Sequence, residues 1–314
     1  MVGPKDPAKH QQQPLQHLDF ETHLELKEIG PDTFTNVHQP WLFHITNTVP
    51  GPLMMAQAAA AAYKTVPSEF CLDVLQTHFM IAPDPTKPLV YKIQRLSQGR
   101  RFAVRLVTIE QDNKPEVSIT TSFMSNAPWT GRSMTHAVDM SINQRIPKIT
   151  LDDFEETRGP LGPFMKFERL PLVQQEPPDP STTMAPVVAQ VDPPIKSPPG
   201  SPAHILAIIH LSDYHAMDCP LSIHGIDFGL WKIGDKTRTP TPAGMKIMTS
   251  LNHTVHFHVH DGLRADELVY IEVSSPWARD GRAMVHSRIF GRDGMLIATC
   301  VQEAFYVFKE NSKL

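Results

Sequence analysis

Apolar positions recur along this chain with two alternating periods. From Ser201 to Met217 it reads SPAHILAIIHLSDYHAM. Ile205, Ile208, Ile209 and Tyr214 fall at helical spacing, and Leu206 and Ala207 widen the stripe until little of the early turns is polar. Pro202 suits the first helical position, and Ser201 before it can cap. Such a helix needs cover on most sides, yet Asp213 stands at its far end beside Ser212. A buried carboxylate is costly. It is either held by hydrogen bonds, as a cap near the break from Met217 to Pro220 would be, or it does chemistry.

A second helix is predicted from Leu53 to Lys64, LMMAQAAAAAYK, which follows the break Val49-Pro50-Gly51-Pro52. After Pro67 the period changes to two. Strands are predicted at Leu72 to Met80, then at LVYKIQRLSQ, RRFAVRLVTIEQ and EVSITTSFM, with turns at Gly99 and at Asp112-Asn113-Lys114. The same programme returns after Pro202. THFMIAPDPTKPLVY holds His78-Phe79 and closes on Leu89-Val90-Tyr91, while VHFHVHDGLRADELVY holds His256-Phe257 and closes on Leu268-Val269-Tyr270. Gly99-Arg100 and Gly281-Arg282 each open a strand. Turns at Asp112-Asn113 and Asp293-Gly294 follow, and then SITTSFM and IATCVQEAF. A helix followed twice by one strand series is a duplication.

That pattern divides the chain. Residues 1–36 form a polar N-terminal arm with a candidate first strand in LDFETHLELKEI, and 37–125 form the first repeat. Residues 126–200 are a Pro-rich connector (PPDP, PPIKSPPG) with one helix expected near Leu151 to Thr157, and 201–311 form the second repeat. Residues 312–314 stand apart as a targeting tripeptide.

Composition narrows the function classes. The chain has 314 residues, 41% hydrophobic and 20% charged, with a formal net charge of -4 and no basic face that calls for nucleic acid. The small-apolar run from Leu53 to Tyr63 is too short to span a bilayer, and MVGPKDPAKHQQQ lacks the apolar core of a secretory signal. Cys71, Cys219 and Cys300 are odd in number and widely spaced, which argues for a reducing compartment and against a disulfide framework or a CxxC metal site. Ser312-Lys313-Leu314 matches the SKL address read by the peroxisomal import receptor, so a peroxisomal location is expected.

The motifs THFMIAPDPTKPLVYKIQRLSQGRRFAVRLVTIEQDNKP, LSDYH, SLNHTVHFH and GMLIATCVQEAF resemble acyl-CoA thioesterase II, the bacterial TesB type and its peroxisomal relatives. The resemblance covers most of the chain outside the arm and the connector. It implies an α+β double hot-dog, in which each of two tandem repeats curls an antiparallel sheet around a central helix. It also implies hydrolysis of an acyl-CoA to a free acid and CoA by a water held between an aspartate, a hydroxyl and a glutamine, without an acyl-enzyme, cofactor or metal. By motif match these are Asp213 in LSDYH, Ser250 in SLNH (or its neighbour Thr249) and Gln302 in VQEAF. All three lie in the second repeat. The first repeat, whose matching positions fall near Ala62 and at Ser122 to Phe123, is then architectural. Members of the family also form homo-oligomers.

The residue types suit that chemistry. A thioester needs a base or positioner for water more than a leaving-group acid; Asp213 can take the proton, Gln302 can orient the water and Ser250 can donate or accept. The carbonyl oxygen still needs a donor, for which Gly51 at the start of the first helix is placed. The chain departs from the family pattern at Asn252-His253, Val259, Pro50-Gly51-Pro52 and Ala304, which points to an altered pocket and a specialised biosynthetic acyl-CoA.

Other readings stand beside this one. The departures are compatible with a double hot-dog that binds acyl-CoA without turnover. An enoyl-CoA hydratase would show Asp and His in one signature, which Asp213-Tyr214-His215 matches poorly, and no GxSxG elbow supports a serine hydrolase. His256, His258 and His260 alternate on one face if the strand runs through them, though no carboxylate or cysteine joins them at metal-ligand spacing. Arg100, Arg101 and Arg105 could meet CoA phosphates or simply flank a turn.

Overall fold

The computed structural model describes residues 19–42, 48–138, 164–237 and 239–309. The N-terminal arm up to residue 18, the helix expected near Leu151 to Thr157 and the C-terminal tripeptide lie outside the described residues.

The first repeat contributes β1 (Leu26–Gly30), β2 (Thr33–Asn36), a central helix α2 (Gly51–Tyr63), and β3 (Phe70–Phe79), β4 (Val90–Gln98), β5 (Phe102–Gln111) and β6 (Lys114–Ser125). A short helix α1 (Phe20–His23) precedes them. The second contributes β7 (Met165–Arg169), β8 (Val187–Val191), a central helix α3 (Pro202–Tyr214), a short α4 (Asp218–Ile223), and β9 (Met245–Phe257), β10 (Val269–Arg279), β11 (Arg282–Phe290) and β12 (Leu296–Phe308). All strand pairs are antiparallel in one sheet of order β1-β2-β4-β5-β6-β3-β9-β12-β11-β10-β8-β7. The order reads the same from either edge if each element is exchanged for its partner in the other repeat. The centre is the β3–β9 pair, with Gln76 opposite Thr254.

The sequence explains the hairpins. Asp112 and Asn113 both take positive φ between Gln111 and Lys114, and Asp280 and Gly281 do the same between Arg279 and Arg282. Both are two-residue connections whose twist matches that of the strands. Gly281 is obligatory, because a Cβ there would lie 2.7 Å from the Tyr306 carbonyl oxygen.

Each sheet half covers its own helix, and α2 also packs against α3. Alanines 58, 59, 61 and 62 of α2 are fully buried, and their small size allows the close approach. Both helices are buried nearly all round, as their unbroken apolar runs require. Among the described residues no helix is long and apolar enough to cross a membrane.

Some expectations are corrected. In LDFETHLELKEI the strand is confined to β1. Asp19 Oδ1 accepts from the Glu21 and Thr22 N–H groups and caps α1, so the first part of the segment turns helical. The Pro-rich segment is not only a connector. It supplies β7 and β8, the counterparts of β1 and β2, and β8 is buried along its whole length. Pro186 and Pro193 bracket β8, so the prolines mark strand ends there. Ser201 stands at the N-cap of α3, but its hydroxyl makes no cap bond.

Candidate active site

Asp213, Ser250 and Gln302 come from three elements of the second repeat and meet behind its sheet. Asp213 lies in the last turn of α3, where the backbone carbonyls disfavour negative charge. Gln302 lies on β12 opposite His253 of β9, and Ala304 lies opposite Ser250. Ser250 and His253 are three positions apart, which in a regular strand would put them on opposite faces. The register breaks between these pairs, leaving Leu251 unpaired, and the bulge turns both side chains inward.

Gln302 Nε2 donates to Ser250 Oγ at 2.5 Å and also to Asp213 Oδ1, while the Ser250 hydroxyl donates to Asp213 Oδ1 at 3.4 Å. A carboxylate can only accept, so the nitrogen of the Gln302 amide faces it, and the Oε1 is buried with no hydrogen-bond partner among the described residues. The hydroxyl at the cluster is that of Ser250. Thr249 is exposed, and its Oγ1 reaches only the Ser250 carbonyl.

His253 completes the surroundings, and sequence reasoning had not placed it there. Ser212 Oγ spends its proton on the Ile209 carbonyl at 2.8 Å, so it accepts from His253 Nε2 at 2.9 Å. Nδ1 is then bare, unpartnered, and 3.9 Å from Asp213 Oδ1. Burial pushes the Asp213 carboxyl above the usual carboxylate range, although the His253 imidazole and the bonds from Gln302 and Ser250 pull it back. Burial likewise lowers the His253 pKa, against the pull of Asp213 and the Gln302 amide. The signal for His253 lay in SLNH itself, three positions from Ser250.

The far side of Asp213 is closed by the first repeat. A Cβ built at Gly51, the first residue of α2, would lie 3.1 Å from the Phe79 ring and 3.2 Å from Asp213 Oδ2. The start of one repeat's helix therefore abuts the end of the other's. Pro52 has no N–H, so Gly51 is the first backbone donor of that helix end.

The remaining candidates lie elsewhere. Arg105 is wholly buried in the first repeat, where it donates to Thr65, to the Ser97 and Val104 carbonyls and to Gln98, so it cannot meet CoA phosphates. Arg101 stacks on Trp129. β9 ends at Phe257, which leaves His258 and His260 beyond the strand. They bond to Thr299 and to the Leu72 carbonyl respectively and share no face with His256. Cys219 and Cys300 are buried thiols whose pKa burial pushes up to about 12, so neither is a nucleophile. The departures Asn252 and Ala304 stay clear of the carboxylate: Asn252 bonds Glu303, and Ala304 packs opposite Ser250.

Comparison with known proteins gives a consistent picture. The acyl-CoA thioesterase N-terminal domain matches residues 38–124, and the acyl-CoA thioesterase C-terminal domain matches 126–306. Human acyl-coenzyme A thioesterase 8 is 26% identical over 92% of this chain and 89% of its own length. Peroxisomal acyl-coenzyme A thioester hydrolase 1 of Saccharomyces cerevisiae is 28% identical over 31% of this chain and 28% of its own. The crystal structure of acyl-CoA thioesterase II TesB2 from Mycobacterium marinum superposes with a TM-score of 0.71 at 21% identity, covering 94% of this chain and 100% of that one.

Proposed function

The chain belongs to the acyl-CoA thioesterase family, and from that premise we propose that Asp213, Ser250 and Gln302 hold the water that cleaves the thioester. The observation that supports the assignment is their mutual hydrogen bonding around a carboxylate that burial makes more basic than usual.

In this reading Asp213 accepts a proton from water while Gln302 Oε1, which has no protein partner, accepts the other O–H. Ser250 fixes the carboxylate. The water oxygen bonds to the thioester carbon, and the oxyanion receives the Gly51 N–H at the positive end of α2. Collapse breaks the C–S bond, and the departing CoA thiolate takes the proton from Asp213, leaving a free carboxylic acid. The bare Nδ1 of His253 attracts that proton while Asp213 carries it. The altered Pro50-Gly51-Pro52 segment, which abuts Asp213, supports a specialised biosynthetic acyl-CoA over a general one.

Release of free thiol from acyl-CoAs tests the assignment. Asp213→Asn is expected to lower kcat by about 10² to 10⁴ with acyl-CoA binding retained. Undiminished turnover in the variant would remove Asp213 from the mechanism, and equal inertness of both proteins that still bind would favour a binding role.

The peroxisome is the proposed location, supported by Ser312-Lys313-Leu314 and by the name of the yeast relative. Deleting the tripeptide should leave a tagged protein in the cytosol; unchanged peroxisomal import would refute it.

A further inference from the structure

On either side of Asp213, one turn before it and one residue after it, α3 carries polar groups that the hydrolysis does not use. His210 is fully buried, and neither ring nitrogen has a hydrogen-bond partner. The Tyr214 hydroxyl is buried and unpartnered as well. The two rings lie on one face of the helix with centroids 4.7 Å apart. Phe20 and Phe164 close over His210, at 5.2 and 5.6 Å between ring centroids.

An imidazole offers one donor and one acceptor, and a phenol offers both. A polar group buried without a partner is costly, and a phenylalanine would fill such a site without that cost. The first repeat shows the satisfied version of the same place. The final tyrosine of its helix, Tyr63, accepts the Leu72 N–H at 2.9 Å, and Ala59 stands where the second repeat has His210. Among the described residues, only the repeat that holds the catalytic candidates keeps polar groups unpaired at this face. His210 stands roughly 4.5 Å along the helix axis from Asp213, and Tyr214 directly follows Asp213 in sequence.

We propose that His210 and Tyr214 bind an oxygen atom on the acyl group, so that the substrate is a hydroxyacyl- or oxoacyl-CoA oxygenated within a few carbons of the thioester. The proposal rests on the Asp213 site being the hydrolytic one. The acyl oxygen pairs with both groups, while a plain alkyl chain leaves them unsatisfied and is penalised for it.

The test compares octanoyl-CoA, β-hydroxyoctanoyl-CoA and δ-hydroxyoctanoyl-CoA on the full chain and on His210→Phe, Tyr214→Phe and Asp213→Asn. At least one hydroxylated thioester is expected to exceed octanoyl-CoA in kcat/KM by roughly tenfold or more, with the ratio moving towards equality in both Phe variants. Tyr214→Phe removes a single oxygen and keeps the packing, so it guards against a fold defect in His210→Phe. Calorimetric binding of the same thioesters to Asp213→Asn reads the preference without turnover. Equal binding and equal kcat/KM, as an internal water on these groups would give, overturn the proposal; so does a preference that both Phe variants retain. Persistent hydrolysis by Asp213→Asn alongside an intact preference would instead sink the assignment of the base.

Discussion

β3 and β9 each carry a bulge, one after Leu72 and one after Ser250, and the matching positions beyond them are Leu75 and His253. Opposite these stand Thr121 in the first repeat and Gln302 in the second, and Ala62 of α2 occupies the place of Asp213 in α3. The first-repeat counterpart of Gln302 is thus Thr121, not Ser122 or Phe123 where motif matching put it. One backbone encloses Ala62, Leu72, Leu75 and Thr121 in one half, and Asp213, Ser250, His253 and Gln302 in the other. All of these are buried, so the contrast lies in polarity and not in exposure. The apolar copy supplies packing and presents Gly51 and Phe79 to its neighbour's carboxylate, while the polar copy bears the desolvation of the groups that would do the chemistry.

Exchanging the acid between the copies tests this most severely. Ala62→Asp would bury a carboxylate among Leu72, Leu75 and Thr121 with no donors arranged for it, and denaturant unfolding should show a loss of roughly 3–5 kcal/mol. Asp213→Asn should act in the opposite sense. The native carboxyl binds its proton more tightly than the unfolded one, so stability falls as pH rises from the unfolded value towards the raised native value. Above the unfolded value the buried acid therefore opposes folding, and at neutral pH the variant should melt at a higher temperature than wild type while losing activity. A lower melting temperature would show that Asp213 is chiefly structural.

The junction between the copies gives a smaller effect. Gly51→Ala places a methyl 3.1 Å from the Phe79 ring and 3.2 Å from Asp213 Oδ2, so one of the two must move. Expected is a fall in kcat of roughly 10 to 100-fold, read by thiol release, with binding of acyl-CoA little changed. An unaltered kcat would separate the first repeat from the chemistry.

Much of this was legible in the sequence, because period and punctuation are local. The two central helices and the eight long strands follow from apolar spacing, and the turns at Asp112-Asn113 and Asp293-Gly294 fall between strands as their residues require, whereas the Asp280-Gly281 turn emerged only with the structure. β7 and β8 were not legible, since five-residue strands between prolines carry too little periodicity to outweigh the breakers. Asp213 could be suspected from its place in an apolar helix, and Ser250 and Gln302 from motif resemblance. The inward turn of both Ser250 and His253 depends on a bulge, a property of strand pairing that no spacing rule reveals. The burial of Arg105 among carbonyls was hidden for the same reason: its partners Thr65 and Gln98 come from different elements.

The copies should also part in acid. α2 has no side chain that gains charge on acidification, whereas α3 holds His204 and His210. His204 is satisfied on both nitrogens, by the Ser197 carbonyl and the Ala265 N–H. His210 faces the rings of Phe20, Phe164 and Tyr214 with His23 nearby, and burial pushes its pKa down from 6.5 to about 3. His23, packed against Phe164 and accepting the Trp41 N–H, is pushed down to about 4. His210 and His23 are thus neutral in the native state and take a proton more readily when the chain unfolds. The unfolded state then binds more protons below about 6.5, so their contribution is intact above that pH and is lost as pH falls towards about 3. Between these limits His210 alone should steepen the loss by about 1.4 kcal/mol per pH unit. Denaturant midpoints collected from pH 7 downwards should fall less steeply in His210→Phe than in wild type, while Ala59→Phe at the matching place in α2 should shift the curve without changing its slope. Parallel curves for wild type and His210→Phe would mean that the imidazole is charged in the native protein, and the polar face of α3 would then have to be redrawn around an ion.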